Sequence, residues 1–124
     1  MRKIRITAAG IVAEAELNDT PTADAIWAAL PLDTTGSTWG DEIYFSTPVR
    51  LDAAPDAKEV VAVGDLGYWP PGRAFCIFYG PTPASIGDEI RPANPVNVFG
   101  RVVGDATIFK KARGSVRVRV EKAG

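Results

Sequence analysis

The period of two in "SVRVRVEK" constrains this chain more than any other feature. Val116, Val118 and Val120 alternate with Arg117 and Arg119, and only an extended strand with one dry and one wet face turns such neighbours to opposite sides. A second stretch, "IVAEAEL", sets Ile11, Ala13, Ala15 and Leu17 against Glu14 and Glu16. With residues 2 to 7 and an Ala8-Ala9-Gly10 turn, it predicts an opening hairpin.

One helix breaks the pattern. In "NDTPTADAIWAALP", Thr20 suits an N-cap and Pro21 the first helical position, because a cap oxygen serves free amides and proline has none. Ala23, Ile26, Trp27 and Leu30 then share a side, and Pro31 closes the segment. This helix is expected to cover a barrel end or a sheet face.

Further strands are expected through Ile43, Tyr44 and Phe45, in "VVAVGDLGYW", in "AFCIFYG" and in "VNVFGRVVG". Pro70-Pro71-Gly72-Arg73 fits a turn in which Gly72 takes the positive φ. Residues 105–115 stay unassigned. The four Gly-Asp dipeptides, at 40, 64, 87 and 104, are unevenly spaced and read as turn chemistry, not as a repeat. The fold class is therefore mainly β, a barrel or sandwich with one capping helix, in a single domain over 1–124.

Composition excludes several functions. A net charge of −1 without a basic patch argues against nucleic acid. The apolar run Ile26 to Leu32 is far shorter than the roughly 20 residues that span a bilayer. Residues 1–6 alternate charge and branched apolar side chains, so they read as a first strand and the cytoplasm is the expected location. Cys76 is the sole cysteine, which rules out an intrachain disulfide and a cysteine zinc site. Histidine is absent, which removes Ser-His-Asp and Cys-His nucleophiles. Gly64, Gly67 and Gly72 miss the dinucleotide and P-loop spacings, and neither a cofactor nor a metal is expected.

The stretch "GYWPPGRAFCIFYGPTP", residues 67 to 83, holds five of the eleven aromatic residues. If Pro70 to Arg73 turns tightly, Trp69 lies opposite Ala74, Tyr68 opposite Phe75, Gly67 opposite Cys76, Leu66 opposite Ile77 and Asp65 opposite Phe78. Leu66, Tyr68, Phe75 and Ile77 then share a core face. Asp65, Gly67, Trp69, Ala74, Cys76 and Phe78 share the other, where small residues beside large rings suggest a groove. The alternative is that these rings pack under the proline-rich loop from Pro81 to Pro95. Asp41 and Glu42 are adjacent, so on a strand they point opposite ways; either both belong to a solvated strand end or one faces the groove. Cys76 has no histidine to activate it and reads as an inert buried thiol.

The order of elements, with "GIVAEAELNDTPTADAIWAALP", "STWGDEIYF", "VGDLGYWPPGRAFCIFYGPTP" and "NVFGRVVGD", resembles the small prokaryotic cyclophilin-like proteins, related to the peptidyl-prolyl isomerases. The resemblance implies a closed antiparallel β-barrel of eight strands with an apolar proline pocket outside one sheet. It implies that Cys76 replaces a pocket aromatic, that Trp69 and Pro70 stand near the neighbouring pocket strand, and that Val96 replaces the pocket histidine. Trp39-Gly40-Asp41-Glu42 stands where cyclophilins carry a catalytic arginine, so carboxylates replace the donor that favours the twisted prolyl amide.

The candidate groove is thus drawn from Asp41, Glu42, Tyr44, Trp69, Pro70, Cys76, Phe78 and Val96, with Arg73 or Arg91 as possible donors. A small molecule or proline-containing peptide is the expected ligand, bound without efficient catalysis. A weak peptidyl-prolyl isomerase and an assembly module that uses the aromatic face, homo-oligomers included, are the alternatives.

Overall fold

The computed structural model describes residues 2–123. Strand β1 (Lys3–Ala8) and strand β2 (Ile11–Leu17) form the opening hairpin. Ala9 and Gly10 both take positive φ, 52° and 78°, the combination whose twist suits a two-residue hairpin turn. Ala13, Ala15 and Leu17 are buried, Ile11 and Glu16 are half-buried, and Val12 and Glu14 are exposed. Helix α1 spans Pro21–Ala29, with Thr20 Oγ1 accepting from Ala23 N at 3.1 Å.

Then follow β3 (Leu32–Thr38), β4 (Glu42–Ser46), β5 (Asp65–Trp69), β6 (Ala74–Phe78), β7 (Asn97–Val102) and β8 (Ser115–Ala123). They close an antiparallel barrel in the order β1-β2-β7-β5-β6-β4-β3-β8. The alternating strand β8 completes it. Val118 pairs with Ala8 on one side and Thr34 on the other, and Val120 with Ile6 and Leu32. Its valines enter the core, whereas Arg117 and Arg119 meet Asp33 outside at 2.6 and 3.2 Å.

The interior is apolar and ring-rich. Phe75 stacks on Phe45 at 4.8 Å and meets Phe99 edge-on at 4.9 Å, with Ile4, Ile6, Leu66 and Ile77 fully buried. Helix α1 closes the Asn97 end of β7: Ala23 and Ile26 are fully buried there, and Asn97 Nδ2 donates to Thr22 Oγ1 at 3.3 Å. Near the Val102 end, the unassigned stretch forms a 3₁₀ helix, Ala106–Lys111, capped by Asp105. It inserts Phe109, fully buried and 6.0 Å from Tyr79, beneath the barrel. The molecule therefore has a second helical plug that the sequence pattern does not announce. Among the described residues no helix is long and apolar enough to cross a membrane.

Three further expectations change. Strand β3, "LDTTGST", exists although it shows no clear alternation. Residues 60–64 are not part of β5; Val61 makes only an isolated bridge to Ile90. In the β5–β6 connection, Pro70–Gly72 is one turn of 3₁₀ helix and the positive φ falls on Arg73, 49°, not on Gly72. Gly72 is needed for another reason: a Cβ there would stand 2.5 Å from the Trp69 ring.

Candidate functional site

The β5–β6 register runs from Leu66 opposite Ile77 to Trp69 opposite Ala74. Leu66, Tyr68, Phe75 and Ile77 accordingly belong to the barrel core. Ala74, Cys76 and Phe78 face outward and are still buried, because Val61, Ile90 and Val96 cover them in a second small core. Asp65 leaves this face: its carboxylate accepts from Ala62 N at 2.8 Å, and its register partner is Arg101 on β7.

On β4 the same alternation turns Ile43 and Phe45 inward. Glu42 and Tyr44 fall on the outer side, with Tyr44 opposite Cys76 and Glu42 opposite Phe78. A cavity of about 180 Å³ opens where these side chains meet the loop before β7. Trp39, Tyr44 and Trp69 supply rings, Pro92 and Ala93 come from the loop, and Cys76, Val96 and Glu42 complete the lining. Trp69 is tied to the same loop by Nε1, which donates to Asn94 Oδ1 at 3.1 Å. Gly67 makes room for the packing beside it, since a Cβ there would lie 2.7 Å from Val96 Cγ2.

The structure thus brings Glu42, Tyr44, Trp69, Cys76 and Val96 together and leaves the other predicted residues apart. Phe78 is fully buried in the second core and does not line the cavity. Asp41 precedes β4; its carboxylate pairs with Lys110 Nζ at 3.7 Å, and its backbone braces the chain after β6 through Pro81 O and Tyr79 N. Pro70 and Arg73 border a different depression, with Arg50 and Asp52. Arg91 donates to Glu89 Oε2 at 3.1 Å and lies along the outer side of the loop with Glu59.

Trp39, Pro92 and Ala93 are lining residues that the sequence pattern did not single out. Gly40, at φ 60°, turns the chain between Trp39 and β4, so no strand alternation relates Trp39 to Tyr44. A Trp39 N bond to Glu42 O, 2.9 Å, holds that turn closed. Pro92 and Ala93 sit in a loop with no periodicity to read.

Glu42 is the electrostatic centre of the site. It is 6% exposed, and its Oε1 is buried with no hydrogen-bond partner. Burial pushes its carboxyl from 4.5 up to about 7, against the smaller opposing effect of the Cys76 thiol beside it. Cys76 is pushed well above the usual thiol range, first by burial and then by the neighbouring Glu42, so it is a protonated thiol and not a nucleophile. Tyr79 rises to about 12, chiefly by burial. No Lys or Arg of the described residues lines the cavity. Rings around one under-bonded acid can enclose a small apolar body and receive a hydrogen-bond donor or a cation. Among the described residues no cluster of three or more acidic or thiol side chains is arranged to hold a metal ion.

Comparison with known proteins fits this architecture. The solution structure of the hypothetical protein AF2241 from Archaeoglobus fulgidus superposes with a TM-score of 0.82 at 41% identity, over 98% of this chain and 95% of that one. The structure of McbB in complex with tryptophan superposes with a TM-score of 0.73 at 17% identity; it covers 98% of this chain but only 45% of McbB, and at that identity it shows the fold alone. A comparison with curated proteins finds no match. The family model described as Cyclophilin-like matches residues 2–121, and with a closed eight-stranded barrel beneath that match, the chain belongs to the cyclophilin-like family.

Proposed function

We propose that the protein binds a small organic molecule in the Glu42 cavity and does not isomerise prolyl bonds efficiently. One observation carries this reading: a buried carboxylate oxygen without a partner lines an aromatic-walled cavity. An unpaired buried acceptor costs about 1–3 kcal/mol. A fold retains such a group more readily where a ligand supplies the missing donor. The volume of about 180 Å³ suits a ligand portion about the size of one ring, since an apolar cavity of about 150 Å³ holds benzene. McbB, a fold neighbour, was solved with tryptophan, a ligand that joins a ring to an amine.

The isomerase reading is weaker for a physical reason. Lowering a barrier of about 20 kcal/mol requires a donor that meets the twisted prolyl amide better than the planar one. Arg73 and Arg91, the two candidate donors, line other parts of the surface. A proline ring can still occupy the cavity as a ligand.

A protease-free isomerisation assay on a proline peptide, run beside tryptophan-fluorescence titrations with a panel of ring-sized fragments, tests the reading. The expected result is saturable quenching or enhancement by some fragments with no acceleration of isomerisation. Turnover that disappears in Arg73→Ala or Arg91→Ala overturns it in favour of the enzyme.

A further inference from the structure

We propose that the cavity selects a ring-sized organic ammonium that keeps at least one N–H, in preference to its quaternary and its neutral analogues. This rests on the small-molecule reading above and names the ligand's chemical class. Two features of the lining act together. Trp39, Tyr44 and Trp69 present rings, whose electron-rich faces attract a cation placed over them. Glu42 presents a buried oxygen that lacks a donor, and an ammonium N–H meets that need with a charge-assisted bond.

Each analogue satisfies only part of this. A quaternary ammonium suits the rings but offers no N–H to Oε1. A neutral alcohol offers a donor but no charge, so it leaves a buried carboxylate uncompensated or requires the acid to stay protonated. The lining supplies no cation of its own, since Arg91 is engaged with Glu89 and Lys110 with Asp41. The countercharge must therefore arrive with the ligand.

The surroundings add a pH signature. Glu42 faces Tyr44 from its own strand and the Cys76 thiol from β6; Asp41 precedes it, and Tyr79 lies near both acids. Cys76 and Tyr79 are held protonated through neutrality. Trp39, Trp69, Pro92, Ala93 and Val96 carry no titrating group. Glu42 is thus the group that changes charge near neutrality, at about pH 7. Ammonium binding stabilises its carboxylate and releases a proton to solvent when the acid was protonated. Affinity is therefore expected to fall about tenfold per pH unit below that point and to level off above it.

The experiment compares benzylamine, benzyltrimethylammonium and benzyl alcohol by calorimetry on the full chain, at about pH 5 to 8 and in buffers of different ionisation enthalpy. Benzylamine is expected to bind at least tenfold more tightly than either analogue at neutral pH, to release protons, and to lose its preference in Glu42→Gln. Alcohol or trimethylammonium binding as tight as the amine's overturns the inference while the small-molecule reading stands. Silence of all three probes up to about 10 mM, beyond the weak range expected of fragments, also overturns it; the broader reading falls only if the whole fragment panel is silent. Should Glu42→Gln fail to fold, the three-probe comparison on the unaltered protein decides alone.

Discussion

At the scale of single residues, Glu42 couples the site to stability. Its carboxyl titrates at about 7 in the folded chain against 4.5 when exposed. Between these values the unfolded chain releases this proton and the folded chain keeps it. The residue's stabilising contribution is therefore complete below pH 4.5 and is lost as pH rises through 7. The loss is about 3 kcal/mol, on the order given by a move of this size. Glu89 opposes this slope elsewhere: backbone amides of Gly87 and Ile86 hold it down to about 2, so its contribution disappears only in strong acid. The difference between wild type and Glu42→Gln isolates the Glu42 effect. Urea unfolding at about pH 5 and 8 is expected to show wild type losing stability relative to Glu42→Gln as pH rises; parallel behaviour would remove the buried-acid assignment. This residue was only half legible in sequence. Adjacency showed that Asp41 and Glu42 diverge, but not which one faces the groove, because that depends on where β4 begins after the Gly40 turn.

At the scale of elements, what could be read depended on the source of each element's order. Strands β2 and β8 alternate because a barrel buries one face of each, β6 reads as a continuous apolar run because its outer face is covered too, and α1 carries its cap and proline locally. Strand β3 has no such signal: Leu32 and Gly36 are its buried positions, and it is held by pairing along β8. That information is non-local. The 3₁₀ plug was illegible for a related reason, since six residues with one buried ring, Phe109, make no periodic pattern. Its contribution is nevertheless large. Phe109→Ala removes a fully buried ring that packs near Tyr79, and such truncations cost about 3–5 kcal/mol. Thermal or urea unfolding is expected to show that loss. A change below about 1 kcal/mol, the size of a surface substitution's effect or little more, would mean that the plug does not close the barrel.

At the scale of the whole molecule, the barrel and the site wall differ in how they are held. Strand β8 is bonded along both edges, to β1 and to β3, so freeing its central amides requires opening the closed sheet. The loop that supplies Pro92 and Ala93 has no such ladder. It is fastened by Val61 N to Ile90 O, by the Lys58–Val96 bridge, by a Thr82 hydroxyl on Arg91 O, and by Asn94 on Trp69. Few fastenings mean a lower free energy of local opening. Pro92 and Ala93 of this loop form part of the cavity wall, so local opening would unmake that wall. Native-state hydrogen exchange is expected to show central β8 amides, such as Val118, exchanging only through global unfolding. The Val61 and Val96 amides, which donate to Ile90 O and Lys58 O, should exchange through a lower, denaturant-insensitive opening, and a ligand that holds the loop should slow them by up to the factor by which it slows β8. Loop amides as strongly protected as those of β8 would mean that the loop is part of the rigid barrel.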